Sequence, residues 1–280
     1  MKKITLTLLL FLFTTFFVDI PCAQKKFYAT IASFNSLHLG WKGKNRAAFA
    51  KVINAFDLIA LQEVMSRQGI EDIVEILEMQ TFSKWEYCIS PYPVGTKRYK
   101  EYYAFIWNKE TTKLVQHLFF FPEENEDDFI REPYGAMFKI NKFDFILVNC
   151  HLIFGKRKSQ RRAEAKLLSK VYDYFQSINN ENDIIICGDF NLPGNDKSFS
   201  KLRSHPDMIN YAIRPFEKTT LNRIGKKANS YDNFFYSKYY SVEVFTGAVY
   251  NYSSFYYSLR KTVSDHLPIY LVVDTSEDDD

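Results

Sequence analysis

Only four cysteines occur in 280 residues, which excludes a fold built on disulfides. Cys22 lies close to the amino terminus. The other three, Cys88, Cys150 and Cys187, cannot all pair, and each sits inside an apolar, β-prone run where a free thiol behaves as a small buried hydrophobe. The sequence also lacks the His/Cys spacing of a zinc site. It has no internal repeat, low-complexity linker or Gly/Ser-rich boundary, so a single domain is expected. Beyond the first two dozen residues no apolar segment is long and uncharged enough to span a bilayer, so no stable membrane association is expected. A formal net charge of +3 is too small to mark a polyanion-binding protein by itself.

What is present begins with a leader. Lys2 and Lys3 precede an apolar stretch from Ile4 to Val18, followed by Pro21-Cys22-Ala23-Gln24. A basic start, a short apolar core and a small residue before Gln24 predict a signal peptide over residues 1–23, cut after Ala23. An uncleaved anchor, or lipidation at Cys22, are the other readings of this segment. The expected product is a secreted or periplasmic domain, 24–276, ending in an acidic, disordered tail over 277–280. Charge is unevenly spread. Acidic residues cluster over 123–128, while basic ones gather at Lys97-Arg98-Tyr99-Lys100, Lys156-Arg157-Lys158 with Arg161-Arg162, and Lys226-Lys227. Basic loops interleaved with tyrosine suit a polyanion-facing surface.

Strand-like runs rich in β-branched and aromatic residues occur at Phe27–Phe34, Asp57–Leu61, Trp85–Ser90, Tyr102–Trp107 and Leu114–Phe120. They recur at Tyr134–Ile140, Asp144–Asn149, Asp183–Cys187, Ser230–Tyr236, Ser241–Thr246 and Leu267–Val273. Helical spacing marks Asn45–Ala55, Gly69–Gln80 and Ser159–Ile178. Many strands with few helices predict packed sheets carrying helices on their outer faces.

Several apolar runs end abruptly in a polar residue: Phe34 gives way to Asn35, Leu61 to Gln62-Glu63, Asn149-Cys150 to His151, and Cys187-Gly188 to Asp189-Phe190-Asn191. Buried strands stacked side by side carry such residues to one rim of a sheet, a rigid mount for a catalytic constellation. Singly, each has an ordinary structural reading: a solvated carboxylate, a core histidine, a turn residue. Jointly, the oxygen donors Asn35, Glu63, Asp189 and Asp265 suit a hard ion such as Mg²⁺ or Ca²⁺, and two nearby histidines could exchange protons with water and a leaving oxygen.

Leu61-Gln62-Glu63, Gly188-Asp189-Phe190-Asn191 and Ser264-Asp265-His266-Leu267-Pro268 resemble, in order, motifs of the endonuclease/exonuclease/phosphatase superfamily. The resemblance spans nearly all of the expected mature chain. It implies an α+β four-layer sandwich, two packed mainly antiparallel β-sheets flanked by α-helices. Within the superfamily the sequence is most similar to deoxyribonuclease I. Lys97-Arg98-Tyr99-Lys100-Glu101-Tyr102-Tyr103, Ile130-Arg131-Glu132-Pro133 and Ser230-Tyr231-Asp232-Asn233 resemble segments of that enzyme.

That resemblance implies a division of labour. Asn35, Glu63, Asp189 and Asp265 would hold Mg²⁺ or Mn²⁺, with Asn191 on the phosphate. His266, oriented by Asp232, would take a proton from water, and His151, paired with Glu101, would protonate the departing oxygen. Tyr99 and Arg131 match positions that touch a DNA backbone, and Asp127 with Glu132 fall where the family binds a structural Ca²⁺. The implied enzyme is a monomeric deoxyribonuclease; the alternative is a phosphodiesterase or phosphatase acting on sphingomyelin or inositol phosphates. Two departures bear on substrate. Met65 stands where deoxyribonuclease I has a groove-reading Arg, with Arg67 two residues further on, and the family's small cystine loop is replaced by the acidic segment Phe121–Asp128.

Overall fold

The computed structural model describes residues 27–125, 128–252 and 256–278. The expected leader, Asp127 and the last two tail residues lie outside them. In chain order the strands of the first half are β1 (Tyr28–Leu39), β2 (Leu58–Val64), β3 (Trp85–Ile89), β4 (Val94–Gly95), β5 (Lys100–Asn108) and β6 (Thr112–Phe120). There follow β7 (Tyr134–Ile140), β8 (Phe143–His151), β9 (Ile184–Asp189), β10 (Ile209–Tyr211), β11 (Asp232–Ser237), β12 (Val244–Val249) and β13 (Ile269–Asp274). Three longer helices are α1 (Arg46–Ile53), α2 (Arg67–Thr81) and α3 (Lys158–Ser177).

The strands form two sheets, ordered β12-β13-β1-β2-β5-β3 with β4 on β5, and β10-β11-β9-β8-β7-β6. Pairing is antiparallel except at β1/β2 and β8/β9, which run parallel in the middle of each sheet. Period-two alternation then sorts the side chains. Ile31, Leu58, Ala60 and Phe105 of one sheet meet Phe138, Phe145, Leu147, Ile185 and Phe234 of the other in a shared core. The intervening residues face outward. Ala32, Phe34, Ile59 and Leu61 are covered by Phe49, Ile53, Ile70 and Leu77 of α1 and α2. Ile146, Val148 and Ile186 are covered by Leu168, Val171 and Phe175 of α3. Each fully buried aliphatic or aromatic side chain contributes about 1.5–3 kcal/mol, so strands apolar on both faces require both helical layers. This is the expected four-layer sandwich, and Cys88, Cys150 and Cys187 are buried and unpaired within it.

Every strand-like run has its strand, with local differences. The two short strands β4 and β10 carry no periodicity to read. The run expected over Ser241–Thr246 pairs only from Val244, because Ser237 Oγ accepts from the amides of Tyr239 and Tyr240 and folds the preceding residues into a turn. The acidic tail begins attached: Asp278 accepts a hydrogen bond from the Asp144 amide. Among the described residues no helix is long and apolar enough to cross a membrane.

Candidate active site

The inner faces of both sheets change character at one end. Beyond the apolar core the inward positions become Ser33 and Asn35 on β1, Glu101 on β5, Asn149 and His151 on β8, Asp189 on β9 and Asp232 on β11, all buried. A polar layer separates them from the core. Gln62 Nε2 donates across the sheets to Asn149 Oδ1 (2.7 Å) and to Ser33 Oγ (3.1 Å), while Asn149 Nδ2 donates to the Leu61 carbonyl (3.0 Å). The hydrogen bonds of the Gln62 and Asn149 amides offset much of the cost of burying them. The floor of the site is thereby tied to both sheets.

Glu63 reaches the same face by a bulge. Pairing of β2 with β5 slips between Leu61 and Val64, and Glu63 adopts a left-handed φ of 56°. The extra residue lets Gln62 and Glu63 both turn inward, a use of bulges common beside functional sites. Asp189 is delivered by its neighbour Gly188, where φ is 142° and a Cβ would stand 1.8 Å from the Cys150 carbonyl oxygen. No other residue fits between β8 and β9 there.

Two histidine–carboxylate pairs face one carboxylate. His151 Nδ1 lies 2.7 Å from Glu101 Oε1, and His266 Nδ1 lies 2.9 Å from Asp232 Oδ2. Their Nε2 atoms are each 3.6 Å from Asp189 Oδ2. Burial by itself pulls the His151 pKa down, but the Glu101 charge and hydrogen bond outweigh it and leave it above the usual histidine value. For His266 burial is likewise overcome, here by the Asp232 and Asp189 charges, and its pKa stands well above the ordinary one. Glu101 is fully buried, which favours its neutral form, yet His151 and then Arg131 hold it below the usual glutamate range. Arg131 Nε is 3.0 Å from Glu101 Oε2 and its Nη1 donates to the His151 carbonyl (3.2 Å).

Beside these pairs, Asn35 Nδ2 donates to Glu63 Oε1 (3.0 Å) and to Asp189 Oδ2 (3.2 Å). Two carboxylates thus converge on one amide. Glu63 Oε2 is buried without a hydrogen bond of normal geometry; the His38 imidazole Nε2 stands 3.3 Å from it. A buried carboxylate oxygen without a hydrogen bond, among hard oxygen donors, fits a divalent ion. Asp189, Asp232 and His266 also offer donor atoms within 4.8 Å of one another. Because His266 and Asp232 are hydrogen-bonded to each other, Asp189 is the member of that group left facing Asn35 and Glu63.

Most of the residues expected from sequence converge here. Asp265 differs: its carboxylate is ion-paired to Arg260 (3.1 Å). Asn191 sits on the rim, its amide N–H bonded to Asp189 Oδ1 and one side-chain N–H spent on the Leu152 carbonyl. Tyr99 stands near Glu63, its phenol kept neutral by burial and the adjacent carboxylates. Arg131 is largely buried behind His151 rather than displayed on the surface. Glu132 is half-buried, in a groove with Phe119 and Pro122, and Asp127 lies outside the described residues.

Other functional supports were not apparent from sequence. Ser264 Oγ donates to the Asn35 carbonyl (2.6 Å) and accepts from the His266 amide (3.0 Å), joining the end of β1 to the segment of His266. Tyr103 Oη accepts from the His151 amide (2.9 Å). Lys44 Nζ donates to the carbonyls of Ser36 (2.8 Å), Leu37 (2.9 Å) and Val263. Burial lowers this ammonium to about 8, against the pull of Glu63 and Asp265. Only the placement of Ser264 inside a recognisable motif could have signalled one of these. Tyr250 and Tyr252 pack against Phe56 and Phe34.

Comparison with known proteins agrees with this arrangement. A deoxyribonuclease of Thioalkalivibrio sp. is 30% identical over 257 residues, 86% of this chain and 70% of its own length. Deoxyribonuclease-1-like 2 of Mus musculus is 26% identical over 80% of this chain and 82% of its own length. Among solved structures, an endonuclease/exonuclease/phosphatase family protein from Bacteroides thetaiotaomicron superposes with a TM-score of 0.66, covering 88% of this chain and 97% of that one at 19% identity. The model of the Endonuclease/Exonuclease/phosphatase family matches residues 32–266, and the chain belongs to that family as a hydrolase of nuclease or phosphodiesterase type.

Proposed function

We propose that this chain is an exported, divalent-metal-dependent deoxyribonuclease of the deoxyribonuclease I kind. The observation that carries the chemistry is the pair of buried imidazoles, each backed by a carboxylate, whose Nε2 atoms face the same Asp189 oxygen. Two such pairs allow one histidine to work as base while the other works as acid. DNA as substrate is supported by the two deoxyribonuclease relatives and by the basic, tyrosine-bearing loop 97–100. Export is supported by the leader-like residues 1–23.

Asn35, Glu63 and Asp189 would hold Mg²⁺ or Mn²⁺, with Asp265 joining if Arg260 releases it. When bound, such an ion supplies charge stabilisation for the phosphorane and activation of water. Asp232 accepts from His266 Nδ1–H, leaving Nε2 to take the proton as water oxygen bonds to phosphorus. As the bond from phosphorus to the leaving oxygen breaks, His151 Nε2–H delivers the proton that this oxygen needs. Glu101 steadies the imidazolium before transfer, and Arg131 balances Glu101. Asn191 would donate its remaining amide hydrogen to a non-bridging oxygen.

The test is a substrate panel: supercoiled plasmid, sphingomyelin vesicles and an inositol phosphate, each with Mg²⁺ and with chelator. Plasmid nicking that vanishes with chelator is the expected result. Hydrolysis of the lipid or the inositol phosphate with intact plasmid would overturn the DNA assignment.

A further inference from the structure

The rim of the site beside Glu63 carries an aromatic stack that the mechanism above does not use. His38 Nε2 is 3.3 Å from Glu63 Oε2. The Trp41 indole lies on the His38 ring, with centroids 4.2 Å apart and planes 19° apart, and Tyr99 meets His38 edge-on at 5.7 Å. His38 covers one indole face, yet Trp41 is 51% exposed, which leaves the opposite face to solvent. Trp85 and Trp107, by contrast, are buried.

The stack is held in place at a cost. Leu37 and His38 both adopt left-handed backbone (φ 44° and 59°), an arrangement that non-glycine residues rarely take twice in succession. The surroundings enforce it. Lys44 clamps the carbonyls of Ser36 and Leu37, the Met65 amide donates to the Leu39 carbonyl (2.7 Å), and the Trp41 amide donates to the His38 carbonyl (3.0 Å). Gly40 is packed so closely on Gly69 of α2 that a Cβ on Gly69 would meet the Gly40 Cα at 2.7 Å. A strained loop that presents a flat apolar face next to a metal-site carboxylate is a pre-organised receptor for another flat ring.

Resting on the nuclease reading, we infer that Trp41, backed by His38, is a stacking platform for an unpaired nucleobase beside the scissile phosphate, so that single-stranded or locally unpaired DNA is the preferred substrate. A paired duplex keeps its base faces covered except at its ends, whereas an unpaired base has a face free for an aromatic side chain. Neighbouring charge suits a strand backbone: Lys42, Lys97, Arg98 and Lys100 are exposed, on the platform's own loop and on the loop of Tyr99. Met65 contacts the Tyr99 hydroxyl (Sδ to Oη, 3.9 Å), so the position two residues after Glu63 completes an aromatic and apolar rim instead of offering a cation to a groove.

The test compares KM for a single-stranded oligonucleotide and for an abasic strand of the same length, in the wild-type protein and in Trp41→Ala and Trp41→Phe. One base–aromatic stack corresponds to about a tenfold preference for the base-bearing strand in the wild type. That ratio collapses towards one in Trp41→Ala and is largely kept in Trp41→Phe. An equal ratio in wild type and Trp41→Ala would overturn the platform while leaving the nuclease reading intact. A wild-type protein that cuts neither strand nor plasmid but hydrolyses sphingomyelin vesicles would overturn both. A readout free of catalysis uses His151→Ala protein with Mg²⁺: the oligonucleotide quenches indole emission, and the added Trp41→Phe change removes the quenching. No quenching on saturation with the oligonucleotide would also count against the platform.

Discussion

Replacing Glu101 by Gln removes one negative charge from the centre of the proposed acid pair with almost no change in shape. Glu101 is fully buried, and its Oε1 lies 2.7 Å from His151 Nδ1. A charge-assisted hydrogen bond of this kind is worth about 1.5–3 kcal/mol, and its loss lowers the pKa of the histidine it stabilises. With the charge gone, burial, which pulls the His151 pKa down, acts without its main counterweight. The sign follows directly. An acid must carry its proton, so activity is lost as pH rises through the His151 pKa, and lowering that pKa moves the alkaline limb of kcat/KM to lower pH. The assay is plasmid nicking at saturating Mg²⁺ from pH 5 to 9. The substitution also leaves Arg131 buried without its partner, at a cost of about 3–5 kcal/mol. The double variant Glu101→Gln, Arg131→Gln restores charge balance and should recover melting temperature while keeping the shifted limb. An unshifted alkaline limb in folded protein would refute the pairing of His151 with Glu101 as the working acid.

The opposite pair moves the other limb. Asp232→Asn withdraws a carboxylate that raises the His266 pKa, so the acid limb of the same profile should shift to lower pH and the maximal rate should fall by about 10²–10⁴-fold, read in the same assay. Away from the proposed chemistry, Asp196 accepts from Arg162 Nε (3.0 Å) and Nη2 (2.9 Å) and from the Ser198 amide (3.1 Å). Burial pushes this carboxyl up, but those donors outweigh it and hold it far below the usual range. Its stabilisation is therefore present above about pH 4 and lost as pH falls below that. Asp196→Asn should cost about 1–3 kcal/mol in urea unfolding at pH 7, with the gap to wild type narrowing progressively as pH falls below about 4.

The site was legible to the degree that it obeys strand periodicity. Asn35, His151 and Asp189 end apolar runs, and the inward parity that buries Ile31, Leu147 and Cys187 carries on to them. Glu63 was legible by its motif, though the bulge that turns it inward was not, since register depends on the partner strand. The dyads needed resemblance, because Glu101 and Asp232 come from strands far away in sequence. What stayed hidden depends on distant contacts without a local pattern: Ser264 on the Asn35 carbonyl, Lys44 clamping two segments, Arg260 on Asp265, and Arg131 turned inward by buried Glu101. The His38–Trp41 stack was equally silent, because a single aromatic in a loop has no periodicity to set it apart.

Asp189 is the point where the account can be tested most sharply, since Asn35 and both histidines converge on its Oδ2. The measurement is the Mg²⁺-dependent rate of plasmid nicking by Asp189→Asn, compared with wild type after both are shown to melt at similar temperatures. The account predicts a loss of at least about 10²-fold that added Mg²⁺ does not restore. Wild-type nicking by the folded variant, with or without chelator, would contradict it.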